Sequence, residues 1–159
     1  KKKFLNKIKK YNINLHPGPS KYPGIGCYNF ALFNSDKTYG VTAHIMNEKI
    51  DNGKIIYEKK FKINKNYDVK KLLNRSYLEL VKLLKIIVKN IKNNNIKFSN
   101  IKWKRKAYTR KELNKLSEIK LSDSKKIIQK KIRSTYFEGA PLPFIIIKGI
   151  KFSINMKGN

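Results

Sequence analysis

An amide and an imidazole stand two residues apart in the stretch Asn14-Leu15-His16-Pro17-Gly18. Side chains at positions i and i+2 of a strand lie on the same side of a sheet. The segment that follows, residues 17–26, is rich in Pro and Gly and ends such a strand at once. We therefore expect Asn14 and His16 to lie side by side at a strand end, which is where open α/β sheets bind their ligands.

A carboxylate, Asp51, is the third residue that can take part in the same chemistry. It lies in the turn sequence Asp51-Asn52-Gly53, after an apolar segment that can pair beside the first strand. An amide, an imidazole and a carboxylate that meet at strand ends suit acyl transfer to an amine. The amide and the imidazole can donate to the developing oxyanion, and the carboxylate can stabilise the imidazolium and relay the proton of the amine. Taken singly, each residue also suits an ordinary structural role.

The hydrophobic periodicity predicts the elements that must position these side chains. Strands are predicted over residues 12–16, 39–46 and 54–63, and a short buried helix over residues 27–34. A long helix over residues 69–93 is capped by Asp68. Its predicted core face consists of Leu73, Tyr77, Leu80, Leu84 and Ile91. The remaining predicted elements are the tail of a helix over residues 3–11, helices from Thr109 and from Asp123 to Thr135, and a C-terminal β-hairpin turning at Lys148-Gly149.

The composition sets limits on the class of protein. A chain of 159 residues is expected to form one domain with a real core. No apolar run approaches the ~20 residues that span a membrane, so we expect no membrane association and a cytoplasmic location. The single cysteine, Cys27, excludes an internal disulfide and is expected to be buried. The two histidines have no metal-ligand spacing, so no metal site is predicted.

The charge balance leaves two interpretations open. The chain has 38 Lys and Arg against 10 Asp and Glu, a formal net charge of +28. Such an excess attracts polyanions, but the lysines are spread along the chain together with Asn and Ile, as an A/T-rich genome also produces. The segment Lys102–Tyr108 interleaves aromatic and basic residues, so Trp103 and Tyr108 can stack on bases in a nucleic-acid-binding module or pack in the core. We expect nucleic acid to bind only non-specifically.

Two stretches of the sequence, NLHPGPSKYPGIGCYNFAL and YGVTAHIMNEKIDNGKII, resemble the folate-dependent formyltransferase family. The family pattern is Asn-x-His-Pro, Tyr/Phe-x-Gly, Gly-x-Thr-x-His and Asp-x-Gly. Asn14, His16 and Asp51 match its catalytic residues, and His44 and Gly53 match supporting positions.

The resemblance implies a fold, a co-substrate and binding residues. The implied fold is α/β: the C-terminal part of a formyltransferase-type Rossmann-like sheet, followed by helices and a β-hairpin. Residues 1–95 would be the C-terminal half of the catalytic domain and residues 96–159 a helical and hairpin extension. The implied formyl donor is 10-formyltetrahydrofolate. The loop before the catalytic carboxylate contributes to its pterin site, which carries over to Asn47, Glu48, Lys49 and Ile50.

Three further stretches are similar to the branch of the family that formylates amino sugars linked to nucleotide diphosphates: YPGIGCYNFAL, KRKAYTRKELNKL and IRSTYFEGAPLPFIIIKGIKF. The implied acceptor is then a nucleotide-linked amino sugar, and the alternative is the glycinamide ribonucleotide of the purine branch. Lys21 and Arg133 are candidates for attracting the diphosphate.

The resemblance also implies strands and helices upstream of Asn14 that these residues do not supply. Three alternatives follow: the sequence is a fragment that lacks its N-terminal half, a partner chain (such as a second copy) supplies the rest, or the chain is a degenerate remnant of the enzyme. Residues 1–159 alone are expected to bind folate poorly and to turn over little, because a sheet without its central strands exposes apolar edges.

Overall fold

The computed structural model describes residues 10–156 together with residues 5 and 7; the helix predicted over residues 3–11 lies largely outside them. Among these residues there are two three-stranded sheets and four main helices. The first sheet contains β1 (Ile13–His16), β2 (Thr38–Ile45) and β3 (Ile55–Lys62), and the second contains β4 (Glu118–Ile119), β5 (Phe144–Ile147) and β6 (Ile150–Ser153). The helices are α1 (Cys27–Phe33), α2 (Val69–Lys92), α3 (Arg110–Ser117) and α4 (Lys125–Thr135).

Capping side chains begin three of the helices. The Asp68 carboxylate accepts a hydrogen bond from the Lys71 amide at the start of α2, as predicted. Thr109 and Glu112 form a reciprocal capping box at the start of α3. The helix α4 is capped by Ser124, one residue after the Asp123 that the sequence predicted. Asp123 instead accepts from the Lys120 amide and pairs with Lys131.

The helix α2 packs on the first sheet through a different face from the one predicted. Its buried residues are Val69, Leu72, Ser76, Glu79, Leu83 and Ile87. Tyr77 and Leu84, which were predicted to face the core, are about half exposed. The prediction was wrong for these two because α2 carries leucines on several faces, so its hydrophobic pattern alone does not select the buried one. The charged Glu79 side chain reaches the core face because cations surround it.

Three cations contact the buried Glu79 carboxylate. The ammonium of Lys59 on β3 lies 2.9 Å away, the Arg75 guanidinium 2.9 Å and the Lys82 ammonium 3.0 Å, while only 2% of the Glu79 side chain is exposed. The hydrogen bond from Lys59 is the largest influence that holds the pKa of Glu79 below its ordinary value. The carboxylate is therefore charged at neutral pH and links α2 to the sheet.

Removing that negative charge is expected to destabilise the fold. In Glu79→Gln, three neighbouring cations lose their counter-ion. We expect the free energy of unfolding to fall by about 2 kcal/mol. A wholly buried ion pair would lose more, but here the cations are partly exposed. Urea denaturation measures the change. Glu118→Gln removes the same charge from a half-buried side chain and is the matched control; equal stability of the two variants would contradict the prediction.

The C-terminal hairpin is confirmed where it was predicted. Lys148 and Gly149 both adopt positive φ, 48° and 82°, which is the conformation of a tight two-residue turn between antiparallel strands. The two-residue strand β4 was not predicted; it pairs with β5 in parallel. Among the described residues, none of the helices is long and apolar enough to cross a bilayer.

The first sheet is antiparallel in the order β1-β2-β3. The register of β1 on β2 places Asn14 opposite His44 and His16 opposite Thr42. The α/β architecture and the pairing of the second strand beside the first agree with the sequence prediction. This pairing, and not closeness along the chain, is what brings the polar candidates together.

Candidate active site

Asp51 joins two histidines that belong to neighbouring strands. Its Oδ2 lies 3.2 Å from Nδ1 of His16, at the end of β1, and its Oδ1 lies 3.2 Å from Nε2 of His44, on β2. Both imidazoles are buried and only 9% of the Asp51 side chain is exposed. The carboxylate therefore links the two imidazoles.

Asn14 completes the cluster from the same strand as His16. Its Nδ2 lies 3.3 Å from Asp51 Oδ1 and 3.1 Å from His44 Nε2. One N–H of the amide can donate to Asp51 Oδ1, and it can donate to His44 Nε2 only when that nitrogen carries no proton. The second N–H remains available for another acceptor. The structure thus brings together the three predicted catalytic residues and the predicted supporting residue His44.

The Pro/Gly loop after β1 contributes a backbone donor to the cluster. The amide of Gly24 donates to Asp51 Oδ2 over 2.7 Å. Gly24 has a positive φ of 84°, and a Cβ there would lie 2.5 Å from the carbonyl oxygen of Tyr108. Only glycine fits this conformation and this close approach, so the second Pro-Gly pair has a role in holding the carboxylate.

Gly53 has a steric reason to be glycine. A Cβ at this position would lie only 1.7 Å from the carbonyl oxygen of Ile45, so the turn after Asp51 is pressed against β2. Asp51 itself adopts a φ of 40°, a strained conformation for a residue with a side chain, and such strain persists where the surroundings hold it. Gly53 therefore supports the site through its backbone.

Both ring nitrogens of His16 face acceptors. Nε2 lies 2.9 Å from the carbonyl oxygen of Tyr22, to which it can only donate, and Nδ1 faces Asp51. A neutral imidazole has one N–H for these two acceptors, so taking up a proton completes both contacts. Burial opposes the charge and is the largest influence, and it lowers the pKa of His16 although Asp51 acts to raise it. At neutral pH His16 is therefore a base, and the Asp51 carboxylate can pair with its cationic form.

The pKa of Asp51 is also lowered. Burial is the largest single influence and favours the neutral carboxyl, but the hydrogen bond from His44, the charge of His16 and the amide of Gly24 together outweigh it. Asp51 is therefore ionised at neutral pH. The cluster can accept a proton while keeping its carboxylate charged.

A cleft of about 440 Å³ opens beside this cluster. Its wall is formed by Leu5, Asn14, His44, Met46, Asn47, Glu48, Lys49, Ile50 and Asp51. All four residues predicted for pterin binding are thus beside the candidate catalytic groups. His16 is not part of this wall, because Asp51 lies between its ring and His44. The sequence predicted His16 as a catalytic residue and His44 as a supporting one, and of these two rings it is His44 that lines the cleft.

Trp103 is the site residue whose place the sequence did not indicate. Its indole packs edge-on against both imidazoles, and its Nε1–H donates to the carbonyl oxygen of Gly53 over 2.8 Å. The sequence indicated only base stacking or core packing for Trp103. Tyr108 also has ring partners: it stacks on Phe30 at 3.7 Å, and the Arg105 guanidinium lies 3.3 Å from its centroid. Both aromatic side chains are therefore engaged within the protein.

The two candidates for attracting a diphosphate do not line the cleft. Lys21 pairs with Asp36, with its ammonium 2.8 Å from the carboxylate, and it lines a separate cleft with three other lysines. Arg133 donates from Nε to the carbonyl oxygen of Tyr67 and lines a different cavity. The structure therefore gives no support for either residue at the candidate site. Cys27 is buried, as predicted.

Comparison with known proteins places the chain in a family. Residues 1–87, more than half of the chain, match the sequence profile described as Formyl transferase. A methionyl-tRNA formyltransferase of Borreliella afzelii is 38% identical over 78 residues, which cover 46% of this chain and 25% of that protein. This chain therefore spans about a quarter of the length of that curated relative.

Solved structures are similar over a larger part of the chain. A sugar N-formyltransferase from a Shewanella species superposes with a TM-score of 0.81 at 22% identity, over 96% of this chain and 62% of that one. An N-formyltransferase from Helicobacter canadensis, solved with folinic acid and dTDP-3-aminofucose, gives a TM-score of 0.68 at 26% identity, over 86% and 51% of the two chains. The profile match and these superpositions agree, and the chain belongs to the formyl transferase family.

Proposed function

We propose that the protein transfers a formyl group from 10-formyltetrahydrofolate to the amine of a nucleotide-linked amino sugar. The observation that carries the proposal is the arrangement of Asn14, His16 and His44 around the Asp51 carboxylate at the wall of a cleft. Family membership supports the reaction class. Because the chain spans only part of its relatives, the proposal concerns the natural protein that contains these residues.

Different side chains of the cluster stabilise the oxyanion and move the proton. The amine nitrogen forms a bond to the formyl carbon, the bond from that carbon to the folate nitrogen breaks, and one proton moves from the amine to the released folate nitrogen. Asn14 donates its free N–H to the carbonyl oxygen while negative charge develops there. Asp51, with the two imidazoles beside it, accepts the proton of the amine directly or through a water molecule.

His16 stabilises the proton once it has moved. Its ring can take up a proton toward Asp51 while Nε2 continues to donate to Tyr22. Burial keeps the pKa of His16 low, so the ring releases the proton again instead of trapping it. The site therefore accepts and returns a proton within one catalytic cycle.

The turn between β2 and β3 is proposed as the folate-binding segment. Asn47, Glu48, Lys49 and Ile50 line the cleft with Asn14 and Asp51. The side chains of Asn47 and Ile50 are exposed, and the Lys49 amide is directed to Asn47 Oδ1 within the turn. A volume of about 440 Å³ lies in the usual range for a small-molecule site. This fits an exposed loop that binds a heterocycle through backbone groups.

The proposed acceptor rests on two observations. The Helicobacter canadensis enzyme, 26% identical, was solved with dTDP-3-aminofucose. The strong positive charge of the chain, +28, favours a substrate that carries a diphosphate. A nucleic-acid-binding function receives less support, because Trp103 and Tyr108 both have ring partners within the protein.

A formyl-transfer assay tests the proposal. The natural protein is incubated with 10-formyltetrahydrofolate and, in separate reactions, dTDP-linked and UDP-linked amino sugars or glycinamide ribonucleotide, and the formamide product is detected by mass. We expect formylation of an amino sugar nucleotide, and weaker folate binding and turnover by residues 1–159 alone. Formylation of glycinamide ribonucleotide only would select the purine-branch alternative, and no product with any acceptor would refute formyl transfer to these substrates.

A further inference from the structure

Trp103 packs against both histidines of the catalytic cluster and donates a hydrogen bond to the turn that follows Asp51. Its ring centroid lies 5.7 Å from that of His16, with an interplanar angle of 69°, and 5.0 Å from that of His44, with an angle of 89°. Its Nε1–H donates to the carbonyl oxygen of Gly53, two residues after Asp51. One side chain therefore contacts both imidazoles and the backbone that follows the carboxylate.

These contacts oppose rotation of the two imidazole rings, whose orientation determines their contacts with Asp51. An imidazole turned by half a rotation about its Cβ–Cγ bond exchanges nitrogen for carbon atoms, and His16 or His44 would then lose its contact with Asp51. Edge-to-face packing prefers defined ring angles, so the indole resists such a rotation. The hydrogen bond to Gly53 also fixes the turn in which Asp51 adopts its strained φ of 40°.

The backbone that follows Trp103 is attached to the Pro/Gly loop. The Lys104 amide donates to the carbonyl oxygen of Ser20 over 3.0 Å, and the Tyr108 amide donates to that of Pro23 over 2.8 Å. The Ile25 amide returns a hydrogen bond to Tyr108. Trp103 is consequently held in place by the same loop that supplies the Gly24 amide to Asp51.

We propose that Trp103 is a positioning residue for formyl transfer, which fixes the orientation of His16 and His44 and the place of Asp51. This inference rests on the proposed function, because it assigns Trp103 a part in that reaction. The indole does not need to touch either substrate. It acts by aligning the groups that contact the substrates, and small misalignments of catalytic groups have large effects on rate.

Two variants and a control measure this effect in the natural protein. Trp103→Leu removes the ring and the N–H, whereas Trp103→Phe keeps an aromatic edge and removes only the N–H. We expect kcat to fall about 30-fold in Trp103→Leu and about fivefold in Trp103→Phe, with KM for the amino sugar changed less than about twofold. Phe98→Leu, which changes an exposed aromatic residue five positions earlier, is expected to keep the wild-type kcat.

Histidine NMR provides a second readout that does not depend on activity. Residues 1–159 contain two histidines and one tryptophan. With the histidines labelled, the ¹⁵N shifts of the imidazole nitrogens report the hydrogen bonds of each ring to Asp51, which depend on ring orientation, rather than the ring current of the indole. We expect the signals of both rings to shift in Trp103→Leu. In Phe98→Leu we expect the signals of both rings to stay unchanged. Trp103→Phe should move them less, and it serves as the folded variant if Trp103→Leu fails to fold.

The outcomes separate this inference from the proposed function. A folded Trp103→Leu protein with wild-type kcat, or with unmoved histidine signals, overturns the role of Trp103. If Trp103→Leu only lowers the melting temperature while kcat is normal at lower temperature, the residue is structural and the inference is wrong. If the wild-type protein formylates no acceptor, the proposed function fails, and the histidine signals still decide whether Trp103 orients the rings.

Discussion

Asp51→Asn is expected to lower kcat for formyl transfer by about 10³-fold, because Asp51 is the group that joins the two histidines. Asparagine has the same shape but no charge, and one of its two terminal atoms becomes a donor that faces an imidazole nitrogen. An equivalent change at a buried, histidine-orienting carboxylate lowers kcat by about 10⁴-fold in a serine protease, so the loss expected here is the smaller of the two. Measured kcat for the amino sugar tests the prediction, with circular dichroism to verify folding.

The same variant is expected to change the pH dependence of the remaining activity. In the wild-type protein, burial lowers the pKa of His16 below its ordinary value of 6.5, and the charge of Asp51 is the largest influence in the opposite direction. A base loses activity as the pH falls through its pKa, so the wild-type acid limb should lie below 6.5. In Asp51→Asn the opposing charge is gone, the pKa of His16 falls further, and the acid limb should move to lower pH.

Asp36→Asn is the matched control for Asp51→Asn. Asp36 also bonds to its surroundings, through the Lys21 ammonium and the Tyr22 hydroxyl, but it lies outside the candidate site. This variant should retain wild-type kcat and the wild-type pH profile. A kcat for Asp51→Asn within tenfold of the control would contradict the role assigned to the carboxylate.

The parts of the fold that the sequence predicted correctly are determined by residues that are adjacent in the chain. The Asp68 cap marks the start of α2, and the Lys148-Gly149 pair marks the hairpin turn, because capping and turn geometry depend on a few adjacent residues. The buried face of α2 depends instead on what packs against it. Glu79 faces inward only because Lys59 of β3 and two cations of its own helix surround it, and that neighbourhood is not visible in the local sequence.

In the candidate site, too, some contacts follow from adjacent residues and others from residues that are far apart in the chain. Asn14 and His16 could be paired from strand alternation alone. Asp51 could be added from its place in a turn after a strand able to pair beside the first, and the family resemblance agreed with it. The contact between Asn14 and His44 follows from the register of two strands, and the place of Trp103 follows from a loop 50 residues beyond Gly53 along the chain. No periodicity within that loop indicates its partners. A single tryptophan in a basic segment was the only available signal, and it indicated either core packing or base stacking.

Asn14→Ala is the second variant for which we expect a large loss. The Asn14 amide directs one N–H toward Asp51 and His44, and the proposed mechanism uses the other N–H on the oxyanion. Removal of one oxyanion donor costs 10²–10³-fold in rate, or roughly 3 kcal/mol of transition-state stabilisation. Because the oxyanion exists only during the reaction, the loss should fall on kcat, with KM for the amino sugar changed by less than about threefold.

A matched control separates this loss from a general effect of deleting an amide. Asn29 is also partly buried and donates from Nδ2 to a backbone carbonyl, that of Ser134, over 2.6 Å. Asn29→Ala should reduce stability and leave kcat unchanged, whereas Asn14→Ala should reduce kcat even where both variants are fully folded. An equal kcat in the two variants would mean that Asn14 only orders Asp51 and His44, and the oxyanion would then need another donor.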